Sequence, residues 1–531
     1  MRCRFLVSML VAAAGWLGSD LVRPQLPAAA DELARAAEER APATDADWAP
    51  AWLHAHWRVR DVAAATPLMP ADAADGDGLA DQLGLRLEVT RNAGAGGWSS
   101  RCTCVDLRGQ DRALTLACCV DLDAIGGTWW DDPQAQRPIT EASAYANEVD
   151  VSCGATGTAS RYPLAVVACQ GRAFCLAVPP EPPRMVRFVY DAGQRELRAE
   201  FDLGVSPVPE QFPSRADASV IAFEVAPRWA FRRALAEYYA RYPEVFQRRV
   251  GAGGLWLPFQ ALETIQGPQD FGFAFREVAL QDLHTVAQDE QLGVGSFVYC
   301  EPQTNWRTVR GTEQPTYDLC MAQLKEDAEQ GDARARATLV SGVERADGRY
   351  DMYLGPVAWT QLVPLGVNAD PAVPAGGALN KAQFELDQLA SALGWKSAPS
   401  VGLDGVYIDS LEGWGLLLNY RREHWRVSQY PLTFDPATHR VALLNFWGTY
   451  AFVQELSARL RAQGLALMGN DAFFRLWFLV PYIDIPGREY AWLENGNWTP
   501  VPEPRWLFFR SMAAGRPYLM LMNNDYASTG Q

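Results

Sequence analysis

From about residue 251 onward the chain repeats one unit: a short apolar run, a stretch of helical character, then another run. The runs are Leu255 to Phe259, Val294 to Cys300, Gln361 to Val367, Gly405 to Asp409, Val441 to Phe446, Leu465 to Gly469, Leu479 to Ile485 and Tyr518 to Asn523. A strand without polar alternation needs cover on both faces, and strands joined by helices run parallel. Eight such runs within residues 251–531 suit a (β/α)8 barrel better than an open sheet. Two details strain that count. The gap between Gly469 and Leu479 is short for a crossover helix, and only eight residues follow Asn523, so the barrel is expected to lack its last helix.

Upstream the pattern differs. Between residues 84 and 226 short alternating runs are separated by Gly and Pro. In the clearest, Phe188-Val189-Tyr190 is followed by a turn at Asp191 to Gln194. Leu197, Ala199, Phe201 and Leu203 then lie on one face, opposite Glu196, Arg198, Glu200 and Asp202. That is a hairpin with one buried side, and several such strands predict an antiparallel β-sandwich. Phe231, Ala234, Leu235 and Tyr238 recur at helical spacing behind Pro227, so residues 227–250 are expected to hold a linking helix. Residues 31–83, rich in Ala, Asp and Pro, read as a partly disordered lead-in. Its Asp75-Gly76-Asp77-Gly78 stretch has Arg86 where a calcium loop would close with Glu, so it reads as linker. Residues 1–30 carry Arg2 and Arg4, an uncharged run from Phe5 to Gly18, and small residues before Asp31. This has the form of a signal peptide, too short to span a bilayer, and predicts a secreted or periplasmic protein without a transmembrane segment.

The formal charge of -16 argues against a nucleic-acid partner, because a surface that binds phosphates must be basic. Ten cysteines, nine of them beyond the leader, leave an odd thiol. Cys102 and Cys104, with Cys118 and Cys119 across a turn near Gly109-Gln110-Asp111, read as a hairpin. Their spacing fits structural zinc poorly and no His is nearby, so buried thiols or disulfides are expected, and no metal site. HExxH and a Gly-x-Ser-x-Gly elbow are absent, and no cofactor motif is present.

In a barrel the loops at the C-terminal ends of the strands carry function. Here those ends are consistently polar: Tyr299-Cys300-Glu301; Tyr407-Ile408-Asp409-Ser410 with Glu412; Met468-Gly469-Asn470-Asp471; Tyr482-Ile483-Asp484 with Glu489; and Asn523-Asn524-Asp525. Trp256, Trp306, Trp414, Trp447 and Trp492 fall in or beside the same segments. Any one of these acids alone is more often a solvated charge or a helix cap. The set recurs at one end of the strands, which isolated charges would not do. Carboxylates beside flat apolar rings suit a sugar, and glycoside cleavage needs two carboxyl groups. Asp409, Asp471, Asp484 and Glu489 are the candidate catalytic residues. Glu301, Glu412, Asn470, Trp256, Trp306 and Trp414 are the candidate substrate ligands.

The segment Asp404-Gly405-Val406-Tyr407-Ile408-Asp409-Ser410 resembles the strand-four nucleophile segment of retaining α-glycosidases, the group containing α-galactosidases, α-glucosidases and endo-α-N-acetylgalactosaminidases. The resemblance implies a β-sandwich ahead of a (β/α)8 barrel, a carbohydrate substrate and Asp409 as nucleophile. It implies an acid/base on strand six, which points to Asp471, with Asp484 and Glu489 as rivals. Val406 and Tyr407 stand where α-galactosidases have a Lys-x-Asp form. The expected activity is an exported glycoside hydrolase; the alternative is a non-catalytic carbohydrate-binding or cell-surface protein on the same scaffold.

Overall fold

A computed structural model describes residues 55–522 except 71–81, 95–96, 142, 252, 259, 312–313, 356–360, 395–401, 414–416, 474, 491–492 and 495–496. The leader, the Asp75 to Gly78 stretch, Trp414, Trp492 and Asn523 to Asp525 therefore lie outside the described residues.

The first half is an antiparallel sandwich. One six-stranded sheet is ordered Met69–Pro70, His56–Asp61, Arg112–Asp121, Glu196–Val205, Arg187–Asp191, Ala144–Tyr145. The other, of seven strands, is ordered Leu85–Gly94, Gly97–Asp106, Arg215–Val225, Arg172–Ala177, Leu164–Cys169, Thr128–Trp130, Gln136–Pro138. His56–Asp61 pairs along its length with Arg112–Asp121, so the sandwich begins inside the segment read as a lead-in. The 187–205 hairpin forms as expected.

The cysteine hairpin does not form. Gly97–Asp106 belongs to one sheet and Arg112–Asp121 to the other, so the intervening turn carries the chain across the sandwich. Arg112 secures the crossing, bonding Asp61 on one sheet at 2.9 Å and Asp106 on the other at 3.0 Å. Cys102, Cys104 and Cys118 consequently face the shared core. Burial pushes the Cys104 thiol up to about 12, which leaves it inert.

The helix Ala230–Arg241 buries Phe231, Ala234, Leu235 and Tyr238, the residues its periodicity marks. Tyr238 bonds the Val178 carbonyl of the sandwich. Tyr162 packs edge-on against both Phe231 and Phe508, the latter in helix Glu503–Ala513 of the second half.

The second half is a nearly closed barrel of seven parallel strands: β1 Leu255–Leu257, β2 Phe273–Val278, β3 Gly295–Cys300, β4 Gly405–Ile408, β5 Ala466–Gly469, β6 Ile485–Tyr490 and β7 Leu519–Met522. β7 returns beside β1. A sandwich followed by a barrel is the architecture expected, but three of the eight apolar runs are placed differently. Val363–Gly366 pairs antiparallel with Thr304–Arg307 in the long β3–β4 connection. Val441–Leu444 is the centre of a small antiparallel sheet whose neighbour at Leu432 bridges Gly204 of the sandwich. A Cβ on Gly204 would sit 2.4 Å from the Thr433 carbonyl, so only glycine permits this approach. Leu479 to Asp484 is a turn, and β6 starts at Ile485.

The strand left unread is β2. Its sequence, Phe-Ala-Phe-Arg-Glu-Val, breaks the apolar run with two charges, and both are buried. Arg276 points out of the barrel and bonds Asp289 of helix Val286–Leu292 at 2.6 Å. Glu277 points inward.

Candidate active site at the barrel mouth

Side chains alternate along a strand, so every second residue enters the barrel. Trp256, Phe275, Phe297, Tyr407, Met468, Ile485 and Leu519 form one packed interior cluster. One step further along the same phase come Glu277 of β2, Tyr299 and Glu301 of β3, Asp409 after β4, Asn470 after β5 and Glu489 of β6. The barrel is apolar below and polar at its mouth. β4 sits hard against β5 to make this ring: a Cβ on Gly405 would lie 1.9 Å from the Ala466 carbonyl.

Asp409 is the hub. Its Oδ1 accepts from Asn470 Nδ2 at 2.7 Å, from the Ser410 backbone at 2.8 Å and from Tyr407 OH at 3.3 Å. Its Oδ2 accepts from Tyr299 OH at 3.0 Å. Four converging donors match an ionised carboxylate, which only accepts. Asn470 Nδ2 also donates to Glu489 Oε1 at 2.9 Å, while its Oδ1 accepts from the Asp471 and Glu489 backbones. One amide thus spaces two carboxyl groups.

Glu301 and Glu277 lie behind this hub. Glu301 Oε2 takes Trp306 Nε1 at 2.6 Å and lies 3.0 Å from Tyr299 OH, and only 6% of the residue is exposed. It is therefore a buried support, not an open substrate ligand. Burial, reinforced by Asp409, pushes its carboxyl up to about 7. Burial, reinforced by Asp409 and Glu489, pushes Glu277 up to about 9, against a hydrogen bond from Tyr407. Both tyrosines are themselves shifted upward by burial and by Asp409 and stay protonated.

Asp471 follows Asn470 and leaves the inward phase. It sits at φ 54, a left-handed conformation costly for a residue with a side chain, and Ser410 after Asp409 does the same at φ 50. Burial pushes Asp471 up to about 6 despite Arg488, whose Nε is 3.7 Å away.

Two expected site residues prove structural. Asp484 lies at the start of β6, at the opposite end of the barrel from the mouth. It accepts from the Leu467 backbone at 3.0 Å and from Arg249 at 3.1 Å, so it cannot join the bowl. Glu412 has both oxygens occupied by Arg475 and the Leu476 backbone, at 2.6 to 3.1 Å, and clamps the loop after β4 to the loop after β5. Among the tryptophans, Trp306 borders the mouth. Trp256 is floor, 5.3 Å from Tyr407, and Trp447 is core, stacked between Tyr430 and Phe478. Glu277 was not read from the sequence, and Tyr299 and Tyr407 stood in the strand-end segments without a role; counting by twos from Phe275 and Phe297 finds Glu277 and Tyr299, and Tyr407 is itself an interior position.

Among the described residues one group has metal-ligand composition: His56, Cys119 and Glu196 on the outer face of the sandwich. Glu196 there is already held by Arg58 at 2.9 Å and Arg198 at 3.3 Å.

No family model matches the chain, and no curated protein matches it. Among the solved structures it is similar to are α-galactosidases and an α-N-acetylgalactosaminidase. A GH36 α-galactosidase from Geobacillus stearothermophilus in complex with stachyose is 9% identical, with a TM-score of 0.44 over 91% of this chain and 74% of that one. An α-N-acetylgalactosaminidase from Bifidobacterium bifidum, in its GalNAc complex, is 10% identical, with a TM-score of 0.38 over 87% of this chain and 78% of that one. An α-galactosidase from Thermus thermophilus is 12% identical, with a TM-score of 0.39 over 82% and 77%.

Proposed function

We propose that this chain is an exported glycoside hydrolase in which Asp409 attacks the sugar as nucleophile and Glu489 serves as acid and then base. The observation that carries this reading is the amide between them. Asn470 Nδ2 reaches Asp409 at 2.7 Å and Glu489 at 2.9 Å, so the two carboxyl oxygens lie no further apart than those two legs laid end to end. Retaining glycosidases hold their pair about 5 to 5.5 Å apart, whereas inverting ones leave about 6.5 to 9.5 Å for a water. The spacing supports retention.

Barrel order supports the same pair. The resemblance implies a nucleophile on strand four and an acid/base on strand six; Asp409 directly follows β4, and β6 carries Glu489, while Asp471 follows β5. Asp471 remains the rival acid because its raised carboxyl would hold a proton near pH 6. Export rests on the composition of residues 1–30.

The test is a panel of p-nitrophenyl glycosides offered to the wild type and to Asp409→Asn, Glu489→Gln and Asp471→Asn. Asp409→Asn should remove at least about a thousandfold of kcat, the order expected when a reacting group is lost. Glu489→Gln should spare substrates with good leaving groups and slow those with poor ones, as befits loss of the acid. Full activity in Asp409→Asn would end this assignment. Sugar binding by the wild type without turnover on any glycoside would favour the carbohydrate-binding alternative.

A further inference from the structure

Asp409 stands between two tyrosine hydroxyls, and each hydroxyl also meets a buried glutamate. Tyr299 OH is 3.0 Å from Asp409 Oδ2 and 3.0 Å from Glu301 Oε2. Tyr407 OH is 3.3 Å from Asp409 Oδ1 and near enough to Glu277 to act on its carboxyl. The chain of contacts runs Glu301, Tyr299, Asp409, Tyr407, Glu277.

A hydroxyl has one proton to give. If Asp409 and both glutamates were ionised, each tyrosine could satisfy one carboxylate and would turn an oxygen lone pair on the other. Buried, that contact is repulsive and costly. Placing one proton on each glutamate removes the conflict: Glu301 donates to the Tyr299 oxygen and Tyr299 donates to Asp409, with the same order through Glu277 and Tyr407. The remaining oxygens agree. Glu301 Oε1 and Glu277 Oε2 are sealed from solvent with no hydrogen-bond partner among the described residues. That is tolerable for the carbonyl oxygen of a neutral acid and not for an ionised carboxylate.

The geometry points to Glu301 and Glu277 as neutral positioning residues, two stored protons that orient Tyr299 and Tyr407 as donors and keep Asp409 as the single ionised carboxylate of the five-residue chain. The role rests on Asp409 being the reacting carboxylate, but the protonation it requires does not. The other charged groups around Glu301 are Lys381, itself paired with Glu385, and Cys300 lies beside them. Around Glu277 they are Asp409 and Glu489, while Arg276 faces away to Asp289.

Infrared titration of the full chain tests the protonation, and kinetics test the role. The wild type should keep the carbonyl band of neutral carboxylic acid above the ordinary glutamate value of 4.5, losing one component near 7 and another near 9. Glu301→Gln should delete the first and Glu277→Gln the second. On whichever p-nitrophenyl glycoside the wild type cleaves, Glu301→Ala should lower kcat. Glu301→Gln, whose amide can still donate to Tyr299, should recover most of it and remove the fall in rate through pH 7. Absence of a neutral-acid band above 4.5, or a band unmoved by both Gln variants, would overturn the proposal. So would a Glu301→Gln variant as inactive as Glu301→Ala, because Glu301 would then need its ionisable group. If Asp409→Asn proved fully active, the nucleophile assignment would fail while the infrared result still decided where the protons lie.

Discussion

Two groups of carboxylates, one in the sandwich and one in the barrel, are held in opposite ways. On the outer face of the sandwich, Glu196, Glu200 and Asp202 are matched by guanidinium groups: Arg58 and Arg198 hold Glu196, Arg198 and Arg187 hold Glu200, and Arg187 holds Asp202 at 3.0 Å. At the barrel mouth, Asp409 and Glu301 accept hydrogen bonds from Tyr, Asn and Trp, donors without charge, with Glu277 and Glu489 close by. Charge matched by charge makes a rigid, quiet surface. Charge matched by neutral donors leaves the carboxyl groups repelling one another, so some keep protons at pH values where glutamate is ordinarily ionised. Acid and base chemistry needs that condition.

The contrast can be broken from either side. The largest effect expected is the loss of turnover in Asp409→Asn. Next, Arg187→Leu should destabilise the fold by about 3 kcal/mol in urea titrations, because it takes the guanidinium from Asp202 and one of the two from buried Glu200. A cost below about 1 kcal/mol would mean that the ladder is less dry than its burial indicates.

A smaller, pH-dependent effect is expected at Glu277. Its folded value lies above its unfolded one, so the folded protein binds the extra proton. The stability this provides is complete below 4.5 and is lost as pH rises toward about 9. Thermal melts of the wild type should decline across that window, and Glu277→Gln should flatten the decline; an unchanged slope would show that Glu277 does not hold the proton. The smallest effect is expected for the exposed pair Arg195 and Asp123, where Arg195→Ala should cost no more than about 1 kcal/mol.

The order of sandwich and barrel was legible because apolar alternation changes to apolar runs near residue 250, and burial imposes that change directly. The strand count was less legible. Gln361 to Val367 and Val441 to Phe446 are as apolar as barrel strands because they are equally buried, although in antiparallel ribbons. Phe273 to Val278 was hidden because Arg276 and Glu277 are buried charges, one answered by Asp289 and the other kept neutral. One false strand replaced one missed strand before residue 405, so Asp409 still fell on strand four. The second false strand moved strand six onto Leu465 to Gly469, which Asp471 follows, whereas the sixth strand of the structure is Ile485–Tyr490, which carries Glu489. Asp484 was misplaced because Leu479 to Ile485 is a buried turn ending where β6 begins. No residue type distinguishes the end of a strand from its start in so short a run.

Whether Asp409 forms a bond to the sugar is open to direct measurement. A set of activated fluorosugars, which stall retaining enzymes at the glycosyl-enzyme stage, can be incubated with the intact chain and followed by mass spectrometry and peptide mapping. The spacing of Asp409 and Glu489 predicts a gain of one glycosyl unit, located on the peptide that contains Asp409 and absent in Asp409→Asn. A label on Asp471 or Glu489, or turnover of the same sugars with inversion and no label, would contradict it.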